Sequence, residues 1–306
     1  VAKTKKTQSL HIPLTVPKSK EATYKKNMNI LTQGSDNLFL FAGDQRVEHL
    51  NNDFYGQNIA EDDLDPEHLF KIASKANIGG FASQIGYIAK YGRDYKKVPY
   101  IVKLNSKTNL VKTNQEDPHS FSWVSVEQVV TFAKQSGLTI PAVGYTIYIG
   151  SEYEPQMLFE AAQIVLEAHK HGLAVIFWMY PRGKAIIDEK DAHLIAGAVN
   201  VASGLGADFA KVNFPHSLSG DSFESFKEVT TAAGRTHVVC AGGSHADEES
   251  FLENLYRQIN ECGARGSATG RNVHQRSEAD AIKFCNAINA IVVEGKTVAQ
   301  AVKLLK

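Results

Sequence analysis

Gly206-Ala-Asp-Phe-Ala-Lys-Val-Asn213 places a lysine inside a short apolar run. Such a run reads as a strand covered on both faces, so the amine of Lys211 has to face whatever space the neighbouring strands leave open. Outward from it lie seven further short β-type runs, most of them apolar throughout: Leu38–Gly43, Ile78–Ala82, Tyr100–Leu104, Ala142–Ile147, Val175–Trp178, Val238–Ala241 and Gly266–Thr269. Longer amphipathic stretches separate them, the pattern of parallel strands joined by crossover helices. Pro155 suits a first helical turn, and Gly172 and Gly204 suit left-handed caps behind the stretches Met157–His171 and Ala192–Ser203.

Eight βα units over residues 37–306 fit a (β/α)8 TIM barrel, whose usual size is about 250 residues. A doubly wound open sheet is the alternative. An open sheet gathers its reactive groups at one switch point, whereas a barrel collects them from the carboxyl ends of many strands. Here the strand ends carry Asp44, then Lys103 and Asn105, Tyr148 and Ser151, Tyr180 and Arg182, Lys211 and Asn213, and finally Gly242-Gly243 and Gly270. The barrel is therefore expected. Residues 1–36 are lysine-rich and lack a sustained period, and are expected to form an N-terminal extension, either a solvated arm or a segment packed on a neighbouring subunit.

Composition narrows the function classes. Thirty-three Lys plus Arg balance thirty-three Asp plus Glu, so no global field favours nucleic acid or an anionic membrane, and an anionic ligand has to be held locally. Cys240, Cys262 and Cys285 have neither metal-ligand spacing nor the pattern of a disulfide framework, which fits a reducing cytoplasm. No apolar run has the length of a membrane span, and Val1–Lys20 lacks a signal-peptide core. The eleven histidines form no His-Glu-x-x-His or similar cluster; His169 and His171 read as surface residues at a helix end, and no catalytic metal is expected.

Among the strand-end residues, Lys211 has the clearest chemistry. Apolar walls disfavour the ammonium and release a free amine, the form that attacks a carbonyl, although a barrel-interior lysine neutralised by a carboxylate looks the same in sequence. Tyr180, one strand earlier in Phe177-Trp-Met-Tyr-Pro-Arg-Gly183, can bring a hydroxyl to the same bound carbonyl compound. Asp44 directly follows Phe39-Leu-Phe-Ala-Gly43 and either touches substrate hydroxyls or caps the next segment. Ala241-Gly-Gly-Ser244 and Thr269-Gly-Arg-Asn272 follow strands seven and eight, where barrels of this kind seat phosphate on backbone N–H groups. Gly242, Gly243 and Gly270 permit the close approach, Arg271 can clamp an anion with two hydrogen bonds, and Arg182 can hold a second anion.

Six segments together resemble the archaeal-type class I fructose-bisphosphate aldolases, a branch of the DeoC-like aldolases: Asp44-Gln-Arg-Val-Glu-His49, Val102-Lys-Leu-Asn-Ser-Lys-Thr108, Val143-Gly-Tyr-Thr-Ile-Tyr-Ile-Gly-Ser151, Trp178-Met-Tyr-Pro-Arg-Gly183, Gly206-Ala-Asp-Phe-Ala-Lys211 and Gly270-Arg-Asn-Val-His-Gln275. The similarity runs from about Leu38 to Ala290. It implies reversible cleavage of fructose 1,6-bisphosphate to dihydroxyacetone phosphate and glyceraldehyde 3-phosphate, with no metal and no cofactor beyond an imine on Lys211. It further implies that Tyr180 is the main proton-transfer group, that Asp44 and Trp178 position substrate, that Lys103 supports the site, and that the Gly242-Gly243 and Gly270-Arg271 loops take a phosphate; Ser151, at the end of strand four, is expected in the substrate-binding set from its position. A homo-oligomer, often a decamer, is the implied assembly. One departure stands out: the family commonly has His-Gly after the first aspartate, and this chain has Gln45-Arg46, leaving Arg46 either an added anion contact or a solvent-facing cation. Related Schiff-base synthases and a thiolase-like enzyme on other phosphorylated ketoses remain alternatives, as does a non-catalytic barrel that only binds a sugar phosphate.

Overall fold

The computed structural model describes residues 10–49, 53–111, 117–216, 220–243 and 247–306. Eight parallel strands close into a barrel in sequence order: β1 (Leu38–Ala42), β2 (Gly80–Gln84), β3 (Tyr100–Lys103), β4 (Ala142–Ile149), β5 (Ala174–Pro181), β6 (Phe209–Val212), β7 (His237–Ala241) and β8 (Gly266–Thr269), with β8 pairing back on β1. Each strand alternates between two cores. Phe39, Phe41, Val102, Tyr145, Phe177 and Ala210 face the outer helices, while Leu38, Leu40, Ile101, Ile176, Trp178 and Phe209 fill the barrel. That two-residue period is what fixes which side chains can reach a central site.

The outer layer includes α3 (Glu67–Lys75), α5 (Val126–Ser136), α6 (Glu154–His171), α7 (Ala192–Leu205), α8 (Ser222–Ala232), α9 (Glu248–Asn260) and α11 (Glu278–Val292); α1 (Glu21–Thr32) precedes the barrel, and the short α2 (Gln45–Glu48), α4 (Ile85–Tyr91), α10 (Arg271–His274) and α12 (Val298–Val302) complete the set. Pro155 lies in the first turn of α6 and Gly172 caps it at φ 74°. After α7, however, the left-handed cap is Gly206 at φ 91°, not Gly204, because the backbone N–H of Gly206 is the one that reaches the carbonyls of Ala202 and Ser203. Strands β4 and β5 outrun the expected ends at Ile147 and Trp178, since their ladder continues through Tyr148–Tyr180 and Ile149–Pro181. Among the described residues no helix is long and apolar enough to cross a membrane.

The described part of the N-terminal extension, residues 10–36, is not a solvated arm. Helix α1 buries Tyr24, Met28 and Leu31 in the same core as the barrel's inward residues and so plugs its floor. The extension lacks a sustained apolar period because α1 buries polar Asn27 and Thr32 as well, with Asn27 donating to the carbonyl of Gly172 at 2.8 Å. Tyr24 hydrogen-bonds to Asp208, whose other oxygen accepts from Val175 N at 2.7 Å and lies 3.1 Å from His169 Nε2. His169 is thus fully buried, contrary to the surface position expected for it, because the inner face of α6 at this level meets the floor rather than solvent; Thr15 Oγ1 occupies its other ring nitrogen at 2.6 Å. His171 is half-buried and sits between Glu127 and Glu167. Residues 1–9 of the extension, and Ser244, lie outside the described residues.

Leu31, wholly buried under the barrel, offers a measure of what the plug contributes. Leu31→Ala is expected to lower the unfolding free energy by about 2–5 kcal/mol, read from denaturant midpoints at unchanged slope. A change below about 1 kcal/mol, the scale of surface substitutions, would mean that α1 is not part of the folded core.

Candidate active site

Inward positions near the carboxyl ends of β1, β3, β5 and β6 converge on one chamber. In β3 the alternation is Ile101 in, Val102 out, Lys103 in; in β6 it is Phe209 in, Ala210 out, Lys211 in. The ladder sets Trp178 beside Lys211 on one side and Thr146 on the other, and Tyr180 beside Tyr148. The indole of Trp178 therefore stands between two lysines, with Lys103 Nζ 5.0 Å and Lys211 Nζ 5.1 Å from its ring centroid. Gly144 makes room for it, since a Cβ there would lie 2.5 Å from Trp178 Cζ3.

The two lysines are not equivalent. Lys103 donates to Glu48 Oε1 and to the carbonyl of Asn105, both at 3.1 Å, and Asp44 Oδ2 lies 3.7 Å away. Lys211 is 4 % exposed and has no hydrogen bond or ion pair among the described residues. Burial lowers its pKa, the carboxylates of Asp44 and Glu48 pull it partly back, and the charge on Lys103 pushes it down again. The lowering shifts Lys211 toward the free amine, the form that attack on a carbonyl requires.

Glu48 is the site residue that sequence reasoning did not single out. It follows Asp44 by four residues, one helical turn, so both carboxylates lie on one face of α2; that spacing is the signal that could have found it. Burial works to raise its pKa, but the charge and hydrogen bond of Lys103 outweigh that and leave it lowered, with Ser106 Oγ donating a further bond at 3.0 Å. Asp44, at the N-cap position, makes no side-chain capping bond, and its Oδ1 is buried without a partner among the described residues. It faces the chamber rather than the helix.

Tyr180 has its phenol pKa pushed well above the ordinary value by burial first, then by Glu48 and Asp44, with Arg182 opposing. At rest it is a phenol and can give a proton. Arg182 lies 5.9 Å from the rings of both Tyr148 and Tyr180, and its guanidinium is clamped by Glu189 through bonds of 2.8 and 2.9 Å. Ser151 does not join the chamber: its hydroxyl donates to Pro118 O at 2.7 Å and accepts from Tyr153 N at 3.2 Å, so the β4 loop itself uses it. Arg46 takes neither of the two directions left open for it, because the Asp63 carboxylate at 3.7 Å and the Phe54 ring at 4.3 Å hold it beneath the β1 loop.

The glycine loops after β7 and β8 lie side by side. Gly242 N donates to Ala268 O at 3.1 Å, Asn272 Nδ2 donates to Gly242 O at 3.0 Å, and Gly243 takes φ 69°. Arg271 is half-buried, with Nη1 4.0 Å from Asp53 and a buried Nε that has no partner among the described residues. Among those residues, the group with the spacing of metal ligands is Glu127, Glu167 and His171, on α5 and α6 outside this chamber.

A family model described as DeoC/LacD family aldolase matches residues 38–276. A fructose-bisphosphate aldolase/6-deoxy-5-ketofructose 1-phosphate synthase of Methanocaldococcus jannaschii is 57% identical over 299 residues, which is 98% of this chain and 95% of that one. Among solved structures, a fructose-bisphosphate aldolase from Slackia heliotrinireducens superposes with a TM-score of 0.94 at 49% identity, covering 97% of this chain and 93% of that one. An archaeal fructose-1,6-bisphosphate aldolase whose catalytic lysine is covalently bound to the carbinolamine intermediate of the substrate superposes with a TM-score of 0.74 at 34% identity, covering 88% of this chain and 99% of that one.

The electrostatic link between the lysines is open to test. Lys103→Met removes a charge that disfavours the Lys211 ammonium and frees two carboxylates that favour it, so both effects raise the pKa of Lys211. The pH midpoint for acylation of Lys211, followed by peptide mass spectrometry, is expected to move upward. A midpoint that stays put or falls would show that Lys103 does not set the state of Lys211.

Proposed function

Because this chain belongs to the DeoC/LacD family of aldolases, we propose that it is a class I enzyme whose imine forms on Lys211 and whose substrate is fructose 1,6-bisphosphate, cleaved reversibly to dihydroxyacetone phosphate and glyceraldehyde 3-phosphate. The observation that carries this reading is the division of charge between the two buried lysines: Lys103 is ion-paired with Glu48, and Lys211 has no carboxylate contact.

In the proposed cycle the free amine of Lys211 adds to C2 of the open-chain ketose, and the carbinolamine loses water to give an iminium ion. Tyr180, a phenol in the resting site, is suited to supply the proton that the departing water takes. The new positive charge lies over the Trp178 face, where a cation is worth about 0.5–2 kcal/mol. Iminium formation also adds a cation close to Tyr180 and so opposes the carboxylates that hold its proton. Tyr180 can then accept the proton of the C4 hydroxyl while the C3–C4 bond breaks, its electron pair passing into the iminium to form an enamine. Glyceraldehyde 3-phosphate leaves, the enamine takes a proton at C3, and hydrolysis returns dihydroxyacetone phosphate and the amine. The iminium is the electron sink, so the scheme calls for neither metal nor cofactor. Asp44, with one carboxylate oxygen unpartnered, would hold substrate hydroxyls, and the Gly242-Gly243 and Gly270-Arg271 loops would seat the phosphate of the imine-bound half. A cytoplasmic homo-oligomer is part of the same proposal, supported for the compartment by three buried free cysteines.

One observation favours a second reading. Arg182, the candidate for the distal phosphate, already has its Nε/Nη2 edge engaged by Glu189, which leaves Nη1 and one Nη2 N–H for a second anion. A product such as 6-deoxy-5-ketofructose 1-phosphate, named for the Methanocaldococcus relative, has one phosphate and needs no second anion seat.

Borohydride reduction in the presence of dihydroxyacetone phosphate is expected to leave a stable adduct on Lys211 and none in Lys211→Met. An unmodified Lys211 with the phosphate still bound would sink the imine mechanism. Tyr180→Phe should still form the adduct while turnover falls by about 10²- to 10⁴-fold; full turnover would remove the tyrosine from the scheme. Comparing aldol addition to glyceraldehyde 3-phosphate with addition to an unphosphorylated dicarbonyl acceptor separates the two substrate readings.

A further inference from the structure

Beneath the β8 loop runs a buried polar chain that the imine chemistry does not use. Asp63 and His274 are both wholly buried. Arg46 hydrogen-bonds to the main-chain carbonyls of Asp63 and Leu64 and lies 3.7 Å from the Asp63 carboxylate. His274 places Nδ1 2.7 Å from Asp63 Oδ2, stacks on Phe54 at 4.7 Å with the rings 16° apart, and has Nε2 3.3 Å from Gln45 Oε1. His68 Nε2 donates to the His274 carbonyl at 2.9 Å and fixes the backbone there. The chain thus ends at the amide of Gln45, whose nitrogen has no partner among the described residues.

That amide sits against the phosphate-loop backbone. A Cβ on Gly270 would lie 2.1 Å from Gln45 Oε1 and 2.8 Å from the carbonyl of Ala42, so glycine is required at 270 partly to admit the Gln45 side chain. A glutamine held at this spot by a three-residue buried relay is more order than packing alone needs, because fixing its side chain costs rotamer entropy.

We propose that Gln45 is a phosphate-binding residue of this site, its amide N–H donating to the phosphate seated at the Gly242-Gly243 and Gly270-Arg271 loops, and that His274 is the positioning residue that holds the amide in that sense. The proposal rests on the Lys211 imine reading for the identity of the substrate. With Nδ1 donating to Asp63 and Nε2 donating to Gln45 Oε1, His274 gives a proton from both nitrogens and is an imidazolium when the phosphate is bound. Without phosphate, burial disfavours that cation, as does Arg46, while Asp63 and Asp53 favour it. The neutral ring would accept from the Gln45 amide nitrogen, which would then take the place that Oε1 holds beside Gly270 and leave the carbonyl oxygen facing the phosphate seat, the two amide ends being interchangeable in shape. Phosphate binding is therefore accompanied by proton uptake at His274 and weakens as pH rises.

The test compares half-saturating concentrations for borohydride trapping on Lys211 with dihydroxyacetone phosphate and with dihydroxyacetone, which differ only in the phosphate. Gln45→Leu is expected to shrink the preference for the phosphorylated compound by about 10- to 100-fold, the worth of a charged hydrogen bond. Gln45→Glu, of the same shape, should shrink it further by repulsion. His274→Phe keeps the stack on Phe54 and should reproduce part of the loss while flattening the pH dependence of the preference above the second ionisation of the phosphate. Equal losses for both compounds, or an unchanged preference in Gln45→Leu, would overturn the assignment. Failure of wild-type protein to form either adduct would instead overturn the imine reading on which it rests.

Discussion

The ion pair between Lys103 and Glu48, 3.1 Å apart at the carboxyl end of the barrel, is the contact on which the chamber depends. Two lysines enclosed with two carboxylates could neutralise one another and leave no nucleophile. By spending Glu48, and more distantly Asp44, on Lys103, the fold leaves Lys211 with long-range attraction only, which burial outweighs. Trp178 keeps the pair apart, with a lysine Nζ about 5 Å from its ring centroid on either side, 5.0 Å for Lys103 and 5.1 Å for Lys211. Gly144 is the steric condition for that wedge.

An arrangement of this kind stores electrostatic cost, since a buried amine without a partner and a buried carboxylate oxygen without a donor are both less stable than their solvated forms. The rest of the barrel has to offset it. The offset is visible at the opposite end, where α1 closes the floor with Tyr24, Met28 and Leu31 and where Asp208 gathers Tyr24, His169 and the backbone of Val175 into one satisfied network. Reactive groups collect at the carboxyl ends of the strands and fully paired ones at the amino ends, the polarity that barrels of this class share. The residues ahead of β1 thus contribute to the same core as the strands.

The substrate assignment turns on the loops more than on the strands. In the proposed cycle Lys211, Trp178 and Tyr180 call only for a carbonyl that can form an imine, and any phosphorylated ketose of suitable size would meet that requirement. On that proposal discrimination would fall to groups at the two ends of the chamber: the glycine loops with Gln45 over Gly270 on one side, and Arg182 with its Glu189 clamp on the other. On the same proposal, the N–H groups that the clamp leaves to Arg182 would decide whether a second phosphate is held.

All eight strands were legible in the sequence, because most of these parallel strands, covered on both faces, are apolar throughout and because glycine and proline punctuate the helices between them. The positions of Asp44, Lys103, Tyr180 and Lys211 at strand ends were legible for the same reason, since the two-residue period follows from the backbone alone. Tertiary structure decided the rest. Helix α1 is a floor because of where it docks, and the polar Asn27 and Thr32 on its buried face dilute the periodic signal of Tyr24, Met28 and Leu31. His169 is buried and Ser151 is taken up by its own loop because of partners about forty residues or fewer away in sequence but adjacent only in the fold. Glu48 pairs with Lys103 across 55 residues, and Arg46 and His274 meet at Asp63 from opposite ends of the chain. Strand patterns are local and survive in one dimension; which of two lysines has a carboxylate beside it is a distance in three.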